Sequence, residues 1–216
     1  MTRKAASKVF AVGLDGPAAA ALEALFASVR VEVVLFRSFH SLLPHVSPQS
    51  RGCLLVNSDR EPGDVASIVR TLCHRAVRLP VICLSESGDV PAAVRALKGG
   101  ALDFLEAPVN DQVLIDAVNE AFEVDRATWH AQQYRAQLRQ RFRTLTPREW
   151  DVVGPMVRGW SNRDIADGLG LSPKTIEVHR ARILSKTASS SLTDLIRTAI
   201  RCDLLHEAAA RSQSHQ

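Results

Sequence analysis

From Lys8 onward the chain alternates short apolar runs with stretches whose apolar residues recur at helical spacing. VFAV (9–12) precedes a segment with Leu22, Leu25, Phe26 and Val29 on one helical face, and VEVVLF (31–36) follows. The rhythm continues through CLLV (53–56), a helix carrying Val65, Ile68, Val69 and Leu72, VICL (81–84), a helix with Val90, Val94 and Leu97, and LDFL (102–105). Short, unbroken apolar runs suit strands buried on both faces, and five of them separated by helices predict a parallel sheet covered on both sides.

Asp111 is placed to cap a last helix whose Leu114, Ala117, Val118, Ala121 and Phe122 keep helical spacing. No Pro or Gly interrupts the chain until Pro147, so one long helix is expected. Ala131, Tyr134, Leu138 and Leu145 fall at threes, fours and a heptad, which fits a short coiled-coil connector and a solvated linker equally. A second domain opens near Leu145, with Thr146 as N-cap, Pro147 at the first helical position and Glu149 three residues after the cap.

Residues 161–187 read as a helix from Asn162 to Leu169, a turn at Gly170, and a second helix opened by Ser172 and Pro173, which together make a helix-turn-helix. Its inward positions are Ile165, Ala166, Leu169, Leu171, Ile176, Val178 or Ile183, and Leu184. Lys174, Thr175, Glu177, Arg180, Arg182 and Lys186 face outward and give the second helix a basic, hydrogen-bonding surface.

Charge sharpens this division. Residues 1–123 hold 12 Lys/Arg against 14 Asp/Glu, and residues 124–216 hold 15 against 9, so a net −2 precedes a net +6. A basic excess confined to one module points to a polyanionic partner, because Lys and Arg displace counterions from phosphates.

Other chemistry is sparse. Cys53, Cys73, Cys83 and Cys202 lack metal-like or paired spacing and read as reduced core residues. His179 has no Cys, Asp or second His at ligand spacing, and so reads as a helix-packing or DNA-facing residue. No nucleophile, base and oxyanion donor assemble, no Gly-rich phosphate loop is present, and no cofactor is expected, so the chain is not read as an enzyme. No stretch is apolar for long enough to cross a bilayer, and MTRKAASKVF has no signal-peptide pattern, which predicts a cytoplasmic location.

TPREWDVV followed by VRGWSNRDIADGLGLSPKTIEVHRARILSK resembles the LuxR-type helix-turn-helix of the FixJ/NarL family over about 60 residues. The resemblance implies that the helix from Pro173 to Lys186 enters the DNA major groove. Lys174, Glu177, Val178, His179, Arg180 and Arg182 are then candidates for base edges or flanking phosphates, with Val178 in reach of a thymine methyl and Glu177 of a cytosine amine. Asn162, Lys186 and the amides near Thr175 are expected on phosphates. LTDLIRTAIRCDLL resembles the family's dimer-forming helix, with Leu195, Ile196, Ala199 and Ile200 available for packing.

The first domain, and PVICLSESGDVPAAVRALKGGALDFLEAPV in particular, resembles the receiver domain of two-component response regulators. That implies a flavodoxin-like (βα)5 fold over residues 8–123, a helical linker over 124–143, and a small all-α DNA-binding domain over 144–209. A working receiver phosphorylates an Asp at the end of its third strand, beside Mg²⁺ held by an acidic pair, with a Lys and a Ser/Thr on the phosphoryl group. Here Asn57 falls at the acceptor position, Gly13 and Leu14 at the acidic pair with only Asp15 beyond, and Ala107 at the Lys. Ser85 keeps the hydroxyl, and Pro108, whose preceding bond is cis in the family, is retained.

These losses predict a DNA-binding regulator that works without phosphorylation, as a homodimer, with the receiver-like domain serving dimerisation or the sensing of a partner or ligand. RNA polymerase or a regulatory protein is a further expected partner, and the long helix from Asp111 to Arg143 would carry the state of one domain to the other. Two alternatives stand beside this: a conventional phosphorylated switch with a displaced acceptor such as Asp59, and a protein- or RNA-binding adaptor.

Overall fold

The computed structural model describes residues 7–61, 63–87, 89–202 and 204. It contains two compact units, one ending at Trp129 and the other starting at His130.

In the first unit, strands β1 (Lys8–Val12), β2 (Glu32–Phe36), β3 (Gly52–Asn57), β4 (Val81–Ser85) and β5 (Asp103–Glu106) form one parallel sheet in the order β2-β1-β3-β4-β5. Because side chains alternate along a strand, the apolar runs split between two cores. Phe10, Val12, Leu54, Val56, Val81 and Cys83 face α3 (Val65–His74) and α4 (Val90–Lys98). Val9, Ala11, Cys53, Leu55, Ile82 and Leu84 face α1 (Gly16–Ser28) and α5 (Asp111–Phe142). A short α2 (Phe39–Leu42) and a 3₁₀ turn at Leu43–His45 join β2 to β3. The flavodoxin-like sheet and the single long helix of the sequence reading are both present.

Several details differ. Asn110, not Asp111, caps α5: its Oδ1 accepts from the Gln112 N–H at 2.9 Å and its carbonyl from the Leu114 N–H. Val90, Val94 and Leu97 of α4 are exposed, and the small Ala96 is what α4 buries against the sheet. Val29 lies past the end of α1 and is exposed. Cys73 is exposed, whereas Cys53, Cys83 and Cys202 are buried, and burial pushes the Cys83 thiol up to about 12.

The segment 124–143 is not a free linker. Asp125 is buried against the start of β3, where its carboxylate accepts from Arg51 Nε at 2.8 Å and from the Gly52 N–H, and Arg51 stacks on Trp129 at 4.6 Å. Burial raises the Asp125 carboxyl, against the lowering effect of Arg51. At the other end of α5, Leu138 and Phe142 enter the core of the second unit, as does Leu145 just beyond the helix, while Tyr134 is exposed. Of the spaced apolar residues, Leu138 and Leu145 therefore pack in the second unit, while Ala131 and Tyr134 stay exposed.

The second unit adds α6 (Pro147–Val157), α7 (Asn162–Leu169), α8 (Pro173–Thr187) and α9 (Leu192–Arg201) around a core of Trp150, Val153, Met156, Ile165, Ile176, Ile183 and Leu195. The remainder of the expected domain, 205–209, and Asp203 lie outside the described residues.

Candidate functional site

α7 and α8 are joined by a turn whose Gly170 has φ of 64°, a left-handed conformation that closes the helix at no steric cost for Gly alone. Ser161 and Ser172 cap the two helices through their hydroxyls, which accept from the Asp164 and Thr175 N–H groups. Ile176 and Ile183 bury one face of α8 completely, which leaves Val178 on the outside at 43% exposure. The opposite face carries Lys174, Glu177, Val178 and Arg182, with Arg180 and His179 half-buried beside them. Among the described residues, no ion pair or hydrogen bond ties down Arg180 or Arg182, and the His179 Nδ1 is buried without a partner.

Three expected contacts are already engaged within the domain. Lys186 Nζ donates to Glu149 Oε2 at 2.7 Å, and Glu149 is buried as the third residue of the Thr146 capping box. Burial works to raise the Glu149 carboxyl, but Lys186 and both donors of Thr146 outweigh it and hold it below the usual carboxylate range. Lys186 thus braces α6 against α8 instead of standing free for a phosphate. The Thr175 amide is taken by Ser172 Oγ and the Ile176 amide by the Ser172 carbonyl, so these amides are not open phosphate donors. Lys174 and Glu177 pair at 3.0 Å, an exposed contact that costs little to open. Asn162 sits half-buried at the first turn of α7. On α9, Leu195 and Ala199 are consumed by the core, which leaves half-buried Ile196 and exposed Ile200 for any partner.

At the carboxyl end of the sheet, the last residue of β3 is Asn57, 5% exposed. Its Oδ1 accepts from the Asp59 N–H at 3.0 Å. Gly13 lies against it with φ of 75°, a left-handed conformation that Gly adopts at no steric cost. Leu14, Asn57, Ser85 and Ala107 line one cleft. Asp15 is exposed and paired with Arg60, and the Ala107–Pro108 bond is cis. At this corner of the described residues, Asn57 is neutral, Gly13 and Leu14 bring no side-chain oxygen, and the exposed Asp15 pairs with Arg60.

Asp59, the displaced acceptor of the alternative reading, has a definite place in the structure. Its carboxylate accepts from Ser85 Oγ at 2.9 Å, from Ser87 Oγ at 3.1 Å and from the Glu86 N–H. Burial works to raise this carboxyl, but the Glu86 amide and the two serine hydroxyls prevail and lower it. Asp59 thereby fastens the β3–α3 loop to the β4–α4 loop. Nothing in the residue spacing announced this, since the partners lie 26 to 28 positions away.

A doubly wound parallel sheet with a capped helix-turn-helix in a separate unit defines a DNA-binding regulator built on a receiver-type fold. Residues 143–199 match the family model described as bacterial regulatory proteins, luxR family. Nodulation protein W of Bradyrhizobium diazoefficiens is 40% identical over 88% of this chain and 83% of its own. The transcriptional regulatory protein TdiR of Thauera aromatica is 33% identical over 91% and 86%. Among solved structures, response regulator StyR superposes with a TM-score of 0.74 at 32% identity, covering 91% of this chain and all of that one. Full-length FixJ from B. japonicum gives 0.53 at 30% identity over 92% and 98%. The chain belongs to the FixJ/NarL family of two-component response regulators with a LuxR-type DNA-binding domain.

Proposed function

We propose that this regulator binds double-stranded DNA as a homodimer and controls transcription in the cytoplasm without being phosphorylated, its receiver-like unit serving dimerisation or the sensing of a partner or ligand. The observation that supports this is the carboxyl end of the sheet, where Asn57 and Ala107 line a cleft and Gly13 lies against Asn57, at the positions of acceptor, lysine and metal ligand. A carboxamide offers no nucleophilic carboxylate, and without Mg²⁺ or Lys nothing neutralises the phosphoryl charge during in-line transfer. Asp59 does not replace the acceptor, because its oxygens are already engaged by Ser85, Glu86 and Ser87. The DNA contacts are assigned to Arg180, Arg182, Val178, Lys174, Glu177 and His179 on α8 and to Asn162 on α7, with RNA polymerase or a regulatory protein as further partner. No catalytic activity is assigned.

Acetyl phosphate or beryllofluoride with Mg²⁺ should leave oligomeric state and DNA affinity unchanged, as measured by light scattering and fluorescence anisotropy. Acid-labile phosphate on the chain, or a dimer that forms only with these reagents, overturns the proposal. Arg182→Ala should weaken DNA binding and lower the salt slope by about one if it holds a phosphate, and relax preference at one base pair if it reads one.

A further inference from the structure

The cleft beside Asn57 has a volume of about 200 Å³, and its walls are mainly Leu14, Leu22, Leu25, Leu84, Val109 and Leu114. Its room comes from small side chains: Ala18 and Ala21 on α1 and Ala107 after β5 stop short of filling it. It opens at the carboxyl ends of the strands near β1 and β3, from which the chain leaves toward opposite faces of the sheet. Crevices at such switch points are where open α/β sheets take ligands.

The polar groups decide what fits. Asn57 Oδ1 accepts from a backbone N–H, which fixes the amide's orientation and leaves Nδ2 as a donor with no partner among the described residues. That donor belongs to a residue only 5% exposed and stands at the wall of an apolar cleft, where a molecule that displaces water must supply an acceptor to meet it. Ser85 is not its competitor, because its hydroxyl donates to Asp59. Glu86 and Asp111 stand at the cleft and no Lys or Arg lines it, so an anion is repelled. A cavity of about 150 Å³ accommodates benzene, so this one suits a single ring with a short substituent.

We propose that this cleft is a binding site for a small uncharged molecule with an apolar body and one hydrogen-bond acceptor, which the Asn57 amide receives. The site rests on the reading that the receiver-like unit senses something other than phosphate. In this account, position 57 has exchanged a phosphorylatable carboxylate for a neutral donor, and Ala107 has opened the space beside it.

The test uses the full-length ¹⁵N-labelled chain titrated with acetophenone, toluene and benzoate. Acetophenone should shift the Asn57 side-chain amide and the Leu14, Leu22 and Ala107 backbone signals. It should bind about fivefold more tightly than toluene, the worth of one hydrogen bond, with benzoate weakest. Ala21→Trp, or Ala18→Trp if the first variant does not fold, should abolish the shifts by filling the cleft from an exposed helix position. Asn57→Leu should equalise acetophenone and toluene. Absence of shifts at the cleft in the wild-type chain, or shifts that persist in the tryptophan variant, overturns the site. Acetyl-phosphate labelling and DNA affinity are measured on the same sample. An unlabelled, DNA-binding chain that ignores acetophenone defeats the site alone, and a labelled chain defeats the reading beneath it.

Discussion

Asp59 is a carboxylate whose role depends on its charge. The ionised form accepts from Ser85, Glu86 and Ser87, and these bonds hold its pKa below the ordinary carboxylate value despite the opposing effect of burial. A carboxyl lowered in the folded state contributes stability that is complete above its unfolded value of about 3.9 and is lost as pH falls through the lower folded value. The stability difference between wild type and Asp59→Ala, from urea unfolding, should therefore be constant from pH 7 to about 5 and shrink as the pH drops below about 4. A difference that stayed flat across that range would mean the loop is held by packing and not by the carboxylate. The neighbouring Asn57 shows the complementary case, since its identity was legible in the sequence while its unpaired donor was not: orientation of an amide is settled only by what surrounds it.

At the scale of elements, capping residues spoke clearly in advance. Thr146, Pro147 and Glu149 begin α6, Ser172 and Pro173 begin α8, and Gly170 ends α7, because these residues satisfy or spare backbone groups through local contacts. What the local pattern hid was the second use of Glu149, whose Oε2 accepts from Thr146 and is also met by Lys186 from α8. Lys186→Gln should lower the stability of the second unit by about 1–2 kcal/mol, the worth of a hydrogen bond to a charged group reduced by the solvent exposure of Lys186, while leaving the salt slope of DNA binding unchanged. Thermal melts and anisotropy at two or more salt concentrations separate these effects, and a slope reduced by about one would restore Lys186 to the phosphate backbone. The buried face of α4 was left open for a related reason. Val90, Val94 and Leu97 satisfy a helical period, yet the period alone does not say which side meets the sheet, and the sheet takes Ala96.

For the whole molecule, the proposed dimerisation on paired half-sites would fall to the residues that the core leaves over. Leu195 and Ala199 are spent inside the second unit, so Ile196 and Ile200 are the apolar side chains α9 still offers a second copy. Ile200→Asp should reduce cooperative binding to a paired site in footprinting while the melting temperature stays within about 2 °C of wild type, as expected for an exposed substitution. Equal cooperativity in the two proteins would assign dimerisation elsewhere. The sequence by itself determined the strand and helix order, the helix caps and the basic second unit, because each is written in neighbouring residues or in a match of contiguous motifs. Only the tertiary structure decided that 124–143 is divided between two units, that Asp125 is buried beside Arg51, that Lys186 meets Glu149, and that alanines leave a cleft over Asn57. These depend on which distant side chains meet and how much volume they leave, and no spacing along a chain encodes either before it folds.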